Sequence, residues 1–139
     1  MKLSLETQIA NIIHSYEPGE VKIRQPPAPD SETAGDAHLQ ENLTTLSGSL
    51  IITPETVIEN WLENAPALLQ SDMQRIIEME PEVILLGTGE KLIFPDAALF
   101  QPCYQANIGV EVMNTSAACR TYNVLAAERR KVAVALMVV

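Results

Sequence analysis

The chain has 139 residues, a length that predicts a single domain over 1–139 with a sizeable hydrophobic core. Its 18 acidic and 9 basic side chains give a formal net charge of -9, which repels nucleic acid and anionic membrane surfaces, so no nucleic-acid partner is expected. The longest apolar run, at 132–139, is far shorter than the roughly 20 residues that cross a bilayer, so no transmembrane segment is expected.

The cysteines and the N-terminus bear on cofactors and compartment. Cys103 and Cys119 have neither CxxC spacing nor clustered histidines, so the sequence predicts no metal site and no redox pair. The first residues have neither the uninterrupted apolar core of a secretory signal nor the basic character of a mitochondrial presequence. We therefore expect a cytoplasmic protein with reduced thiols and no cofactor.

The first part of the chain is predicted to contain a hairpin, a loop and further strands. Residues 12–16 and 21–24 flank a Pro-Gly pair that suits the centre of a type II turn. Residues 25–41 hold three prolines and four acids with few large apolar side chains, which predicts a mobile loop. Residues 43–52 alternate loosely and predict another strand pair, with Gly48 at a bulge or bend.

Two helices are predicted to follow. Thr53 offers a capping hydroxyl and Pro54 suits the first helical position, so a helix is expected to begin there. Its buried face would consist of Val57, Ile58, Trp61 and Leu62. Residues 71–74 fit the capping-box pattern and predict a second, short helix with one apolar face that ends before Pro81.

The pattern becomes regular after residue 82. Strands are predicted at 83–86, 110–113 and 132–139, of which the first is continuously apolar, and helical segments at 96–106 and 115–130 lie between them. This β-α-β-α-β order predicts an α/β fold with right-handed crossovers, to whose sheet the earlier strands add.

A glycine turn follows the first of these strands. Gly87, Thr88 and Gly89 lie where open α/β sheets bind ligands. A dinucleotide fingerprint needs a third glycine where this chain has Leu92, and a phosphate-binding loop needs a Gly-Lys-Ser/Thr ending that is absent. Two interpretations stay open: a tight turn that requires glycine, or one side of a ligand site.

The start of the last predicted helix would form the other side of that site. Thr115 and Ser116 present hydroxyls and backbone N–H groups at the positive end of the helix dipole, and Arg120 lies about one turn further on. Residues 91–139 hold 5 bases and 3 acids, so the last third is the more favourable part of the chain for an anion. Together with the glycine turn, these residues are a candidate site for a small anion.

Other polar residues of the last helix have two interpretations each. Asn123 is a mediocre helix former at mid-helix, which indicates a specific interaction or structural partner. Glu128, Arg129 and Arg130 are either a charge network that anchors the helix end or a basic patch for a protein partner. Cys119 is either a nucleophile or a small buried thiol, and neither histidine is placed to activate it. No catalytic residue is predicted.

Several stretches together resemble one known family. They are LLGTG at 85–89, GVEVM at 109–113 with Thr115, CRTYNVL at 119–125 with Glu128 and Arg129, and GSLIITP at 48–54. They resemble the small domain family that contains a mitochondrial assembly factor of respiratory complex I and an adipogenesis-associated protein. Since no presequence is evident, the chain resembles a bacterial-type member.

The resemblance implies a three-layer α/β domain with a mixed central sheet and no established catalytic activity. It also implies work through a protein partner, as for the mitochondrial member, and peripheral association with a membrane complex is compatible with it. The leading hypothesis is a non-enzymatic protein-interaction or complex-assembly factor. The alternative is a small-anion or metabolite binder, or a cryptic enzyme, with its pocket between the glycine turn and the last helix.

Overall fold

The computed structural model describes residues 10–26, 43–65 and 67–138, so the predicted mobile loop at 25–41 lies almost entirely outside the described residues. The strands are β1 (Ile12–Glu17), β2 (Glu20–Arg24), β3 (Leu43–Leu46), β4 (Gly48–Ile52), β5 (Val57–Glu59), β6 (Val83–Gly87), β7 (Gly109–Met113) and β8 (Val132–Val138). The helices are α1 (Gln70–Ile77), α2 (Gln101–Gln105), which a 3-10 turn at Ala97–Phe100 precedes, and α3 (Thr115–Ala127).

The central sheet has five strands in the order β5-β4-β8-β6-β7. Strand β6 runs parallel to both β7 and β8, whereas β4 is antiparallel to β8 and to β5. The sheet is therefore mixed, and the predicted β-α-β-α-β unit forms its parallel part. The α/β fold class is confirmed.

Strand β8 lies at the centre and is apolar on both faces, as its unbroken apolar sequence predicts. Its even-numbered residues pack on one side with Leu85 and Tyr122, and its odd-numbered residues Ala133 and Ala135 pack on the other. The first side is covered by α3 and by strands β1 to β3, and the second by α1 and α2. The predicted three-layer arrangement is confirmed.

The N-terminal strands form a sheet of their own. The predicted hairpin is present as β1 and β2, with Gly19 at φ +88° in its turn, and β3 adds to β2 in antiparallel orientation. The predicted pairing within residues 43–52 is wrong, because β3 and β4 belong to different sheets. Gly48, at φ +86°, bends the chain from one sheet into the other, so the hydrogen bonds of each strand go to different partners.

The helix predicted to begin at Thr53 is also wrong. The Thr53 hydroxyl accepts a hydrogen bond from Thr56 N–H at 2.9 Å, and Thr53 N–H donates to the Thr56 carbonyl at 2.9 Å, which closes a turn. The chain then pairs with β4 as the edge strand β5. Thr53, Pro54 and Glu55 therefore form a turn here. The β-branched residues Val57 and Ile58 that follow pair with the edge of β4.

The other predicted helices are present with different ends. Helix α1 begins at Gln70, and Asp72 supplies the cap by accepting from Leu69 N–H at 2.9 Å, so Ser71 is not the capping residue. The segment 96–106 is split into the 3-10 turn and α2, because Pro102 has no N–H to continue one ladder through both. Helix α3 ends before Glu128 rather than at Arg130.

Asn123 joins α3 to the N-terminal sheet. Its Oδ1 accepts from Ile13 N–H at 2.9 Å and its Nδ2 donates to the Ile13 carbonyl at 2.7 Å. The neighbouring Tyr122 hydroxyl donates to the Asn11 carbonyl at 2.8 Å. The side-chain amide thus pairs with β1 much as a neighbouring strand would, next to the point where the β1–β2 register shifts. This contact explains an asparagine in the middle of a helix.

We predict that Asn123→Ala lowers the free energy of unfolding by about 2–3 kcal/mol, because it leaves the Ile13 N–H and C=O without partners in a partly buried place. Urea denaturation measures the change. Val124→Ala, at an exposed position of the same helix, is the matched control and should change stability by less than about 0.5 kcal/mol. Equal losses in the two variants would contradict a structural role for the amide.

Candidate functional site

The glycine turn and the start of α3 lie side by side at the carboxyl end of β6. Thr88 N–H donates to the Met113 carbonyl at 3.0 Å, and Thr115 N–H donates to the Gly89 carbonyl at 2.8 Å. Gly89 N–H in turn donates to the Thr115 hydroxyl at 2.8 Å. The parallel pairing of β6 and β7 ends at Gly87 and Met113, and this register brings the two segments together.

This junction is closely packed. Thr115 is fully buried, and its hydroxyl donates to the Met137 carbonyl at 2.9 Å while it accepts from Gly89. A Cβ at Gly87 would lie only 3.0 Å from the Thr115 Cα and 3.0 Å from the Leu136 side chain. Gly87 therefore permits a close approach of β6 to α3, and the Thr115 hydroxyl ties that helix to β8.

Ser116 and Arg120 are the predicted anion ligands that remain accessible. Asn114 caps the helix by accepting from Ala117 N–H at 2.8 Å, and Thr115 N–H is bonded to the glycine turn. Arg120 Nη1 donates to the Ser116 hydroxyl at 2.7 Å on the exposed side of the helix. A small-anion site at this corner thus depends on the Ser116 amide and the Arg120 guanidinium, and it stays a prediction.

Thr88 shapes the loop that follows the turn. Its hydroxyl donates to the Lys91 carbonyl at 2.6 Å and accepts from Ile93 N–H at 3.0 Å. The next side chains are held at the surface: Leu92 is 49% exposed, Ile93 60% and Phe94 72%. We call residues 92–95 the apolar loop. The sequence analysis missed it, although an apolar run outside the predicted strands and helices was its signal.

A groove lies beside the apolar loop. It has a volume of about 380 Å³, and we call it the Trp61 groove. It is lined by Trp61, Leu68, Leu86, Thr88, Ile93, Pro95, Asp96, Leu99 and Met137. Trp61 is 2% exposed, and its Nε1–H has no acceptor among the residues that the structure describes. The sequence analysis predicts that Trp61 is buried, which is the case, but on a helix that does not form.

Arg129 and Arg130 lie at the opposite end of the sheet. Arg130 Nη2 is 3.3 Å from Glu82 Oε2, and Lys131 N–H donates to Glu82 Oε1 at 3.0 Å. The pKa of Glu82 is lowered, first by the hydrogen bond from the Lys131 backbone and then by that from Arg130. Arg129, at φ +64°, lines a concavity of about 630 Å³ at this end. Glu82 was not singled out from the sequence.

The two cysteines are buried and unpaired. Burial raises the pKa of Cys119 to about 12, so its thiol is protonated near neutral pH and is a poor nucleophile. Within residues 10–26, 43–65 and 67–138, no group of three or more His, Cys, Asp or Glu side chains is placed to hold a metal ion. None of the described helices is long and apolar enough to span a bilayer.

We predict that Thr115→Val costs about 2–4 kcal/mol of unfolding free energy. Valine keeps the shape but leaves the Gly89 N–H and the Met137 carbonyl without the hydroxyl that satisfies both. Ser116→Ala is the matched control at the next position and should cost less than about 0.5 kcal/mol. Chemical denaturation measures both, and a neutral Thr115→Val would contradict the tying role of the hydroxyl.

We also predict that Glu82→Gln makes thermal stability less dependent on pH. Because the folded-state pKa of Glu82 is lowered, the carboxylate stabilises the fold above its ordinary titration range, and this contribution is lost as the pH falls below about 4. The melting temperatures of Glu82→Gln and the unsubstituted protein should therefore differ at pH 7, and this difference should shrink as the pH falls through the lowered folded-state pKa of Glu82. Arg130→Gln should remove only part of the stabilisation by the Glu82 carboxylate, because the hydrogen bond from the Lys131 backbone N–H remains. If the two melting temperatures differed by the same amount at every pH, the stabilising role of the Glu82 carboxylate would be contradicted.

Comparison with known proteins gives three informative relatives. The "13 kDa major membrane protein" of Francisella tularensis subsp. holarctica is 31% identical over 93 residues, which cover 66% of this chain and 76% of the relative. "NADH dehydrogenase [ubiquinone] 1 alpha subcomplex assembly factor 3" of Danio rerio is 26% identical over 134 residues, which cover 95% of this chain and 67% of the relative. A crystal structure of a Bordetella parapertussis protein superposes with a TM-score of 0.74 at 28% identity, and the match covers 94% of this chain and 97% of that one.

A family model described as "Protein of unknown function (DUF498/DUF598)" matches residues 31–137. The resemblance inferred from the C-terminal motifs is thereby confirmed, with a complex I assembly factor among the relatives. The chain belongs to the DUF498/DUF598 family of proteins of unknown function.

Proposed function

We propose that this protein is a non-enzymatic interaction factor that binds another protein during assembly of a larger complex. The observation that carries the proposal is the apolar loop, where Leu92, Ile93 and Phe94 are consecutive and exposed. Single exposed apolar side chains are ordinary, whereas a contiguous group of large ones is typical of a binding surface. The relative named as an assembly factor supports the same class of function.

The geometry of the loop favours binding. Thr88 bonds to the backbone of Lys91 and Ile93, and Asp96 accepts from Ala98 N–H at 3.0 Å at the other end. The loop is thus held at both ends before any partner arrives. Binding through a preorganised loop costs less conformational entropy than binding through a loop that must first become ordered.

The charges around the loop indicate the kind of partner. Glu90 and Asp96 lie on either side of the apolar loop in the chain, Lys91 is the one base between them, and the net charge of the whole chain is -9. We propose a protein segment that contributes apolar side chains to the loop and carries basic residues beside them. Electrostatic complementarity of this kind speeds association and fixes orientation more than it raises affinity.

The proposal includes a cytoplasmic location and allows peripheral contact with a membrane complex. The two unpaired cysteines support a reducing compartment, and the relative named as a membrane protein supports contact with a membrane assembly. Small-anion binding by Ser116 and Arg120 is the second candidate function, and it is supported by the accessible guanidinium at the start of α3. It ranks second because Thr88, Gly89 and Thr115 make hydrogen bonds within the fold.

We predict that the double substitution Leu92→Ser/Phe94→Ser weakens partner binding by about 100-fold, as expected for two large apolar side chains that each contribute roughly 1.5 kcal/mol. Both side chains are exposed, so the melting temperature should not fall. The partner is first captured from native cells and identified by mass spectrometry. Its affinity for the purified variants is then measured by calorimetry.

Val124→Ser, which alters an exposed apolar residue on α3, is the matched control and should leave the affinity unchanged. If the double variant binds the purified partner as tightly as the unsubstituted protein, the apolar loop is not the binding surface. A defined catalytic turnover by the pure protein would overturn the non-enzymatic assignment.

A further inference from the structure

A concavity lies at the end of the sheet where α1 and α3 both end. Its volume of about 630 Å³ is within the range of roughly 300–1,000 Å³ that is typical of small-molecule sites. Its walls come from the turn at 53–56, from residues 79–81 after α1 and from residues 129–132 after α3, together with Ala10 and Ala126. We call it the Arg129 concavity.

Two unpaired bases line the Arg129 concavity. Residues 129–131 hold three of the nine bases of the chain, so positive charge is concentrated here in a protein of net charge -9. Arg130 is paired with Glu82, the Nη2 and Oε2 atoms lying 3.3 Å apart. Arg129 and Lys131 are exposed, and neither side chain forms an ion pair with a described carboxylate. An anionic group in the concavity would therefore meet two bases that are available to pair with it.

Two unpaired acids line the same concavity. Glu55 and Glu80 are exposed, and neither is ion-paired within the described part of the chain. The C-terminal ends of α1 and α3 also meet here, and the negative end of a helix dipole favours a cation. The acids repel a ligand that is only anionic, and the bases repel one that is only cationic. A zwitterion meets opposite charge at both of its ends.

Two of these four charged residues have an unfavourable backbone conformation. Glu80 has φ +58° and Arg129 has φ +64°, in the left-handed region that glycine adopts without strain. Both are held there by the backbone, since Glu80 N–H donates to the Ile77 carbonyl at 2.9 Å and Arg129 N–H to the Ala126 carbonyl at 3.0 Å. A long charged side chain at each of two helix ends that favour glycine indicates that the side chains have a use at this concavity.

The remaining walls are mostly apolar. The hydroxyls of Thr53 and Thr56 are bonded to each other at 2.7 Å. Three of the apolar lining residues are partly exposed, and they are Ala10, Pro54 and Met79. A wall of this kind suits a compact apolar group that is attached to the charged part of a ligand.

From these observations we propose that the Arg129 concavity binds an α-amino acid with a compact apolar side chain. The carboxylate of the ligand pairs with Arg129 and Lys131. Its ammonium group pairs with Glu55 and Glu80, and its side chain contacts the apolar wall. This activity goes beyond protein binding through the apolar loop, because the concavity lies at the other end of the parallel strands.

The test compares L-leucine with three analogues in nitrogen-15 NMR titrations near neutral pH. The analogue 4-methylpentanoate lacks the ammonium group, 3-methylbutylammonium lacks the carboxylate, and glycine lacks the apolar side chain. Each is titrated to about 20 mM, because a ligand of this size is expected to bind in the millimolar range. We expect saturable shifts with leucine at the backbone amides of residues 79–80 and 129–132, and binding of each analogue at least about tenfold weaker.

The positive φ angles permit glycine variants that remove a charge without straining the backbone. Arg129→Gly and Glu80→Gly should keep the melting temperature and should each weaken leucine binding by about tenfold. Asn107→Gly, the same kind of change at φ +61° outside the concavity, is the matched control and should leave binding unchanged. Glu80→Gly should also narrow the preference for leucine over 4-methylpentanoate, since it removes a charge that repels the carboxylate.

The variant Leu92→Ser/Phe94→Ser should bind leucine normally, so a failure of the protein-binding proposal is distinguishable from a failure of this one. Three results would overturn the amino-acid site. They are the absence of a saturable shift with leucine at residues 79–80 and 129–132, binding of 4-methylpentanoate or 3-methylbutylammonium as tight as that of leucine, and unchanged leucine binding in Arg129→Gly. The first two are read on the unsubstituted protein, so they hold even if a variant fails to fold.

Discussion

A strand that is apolar on both faces must be covered on both faces, and β8 imposes this constraint on the rest of the molecule. Residues 132–136 are almost completely buried, and β4 and β6 flank the strand. Helices α1 and α2 cover one face, whereas α3 alone is too narrow for the other and shares it with the N-terminal sheet. Burial of both faces of a sheet removes enough apolar area from water to dominate the stability of a chain of this size. The polar contacts made by Asn123 and Thr115 then select one arrangement of these layers.

The regular part of the fold was predictable because its signals are local. Strands β6 and β8 are apolar runs of strand length, β7 alternates around Glu111, and helices lie between the three strands, so pattern and topology agreed. The segment after Thr53 was not predictable in the same way. A hydroxyl followed by proline and an acid suits both a helix start and a turn, and pairing with β4 decides between them. The separate N-terminal sheet depends on the contact of Asn123 with Ile13, 110 residues away in the chain, which no local pattern contains.

In the candidate site, too, the features with local signals were predictable and those that depend on long-range contacts were not. The sequence predicted that the glycine turn would lie near the start of α3, and the register of β6 and β7 brings them together. It did not predict that the Thr115 hydroxyl would both accept from Gly89 N–H and donate to the Met137 carbonyl. The second partner lies on β8, 22 residues further along the chain, where no local pattern indicates it. An apolar run outside the predicted elements indicated the apolar loop, but how far its side chains are exposed depends on the three-dimensional structure. The same holds for the Nε1–H of Trp61, which has no acceptor among the described residues. In consequence the Trp61 groove and the apolar loop lie beside the predicted corner, on the face of the sheet that α1 and α2 cover.

Strand β7 ends the central sheet, and its outward side has consequences for self-association. An outermost strand offers backbone groups to any second copy that approaches edge to edge. Glu111 is exposed at the middle of β7, so antiparallel pairing centred there would place two carboxylates opposite each other across a twofold axis. Like charges in that position are destabilising. One acidic side chain on a short strand thus works against fibre-like stacking of the sheet through this edge.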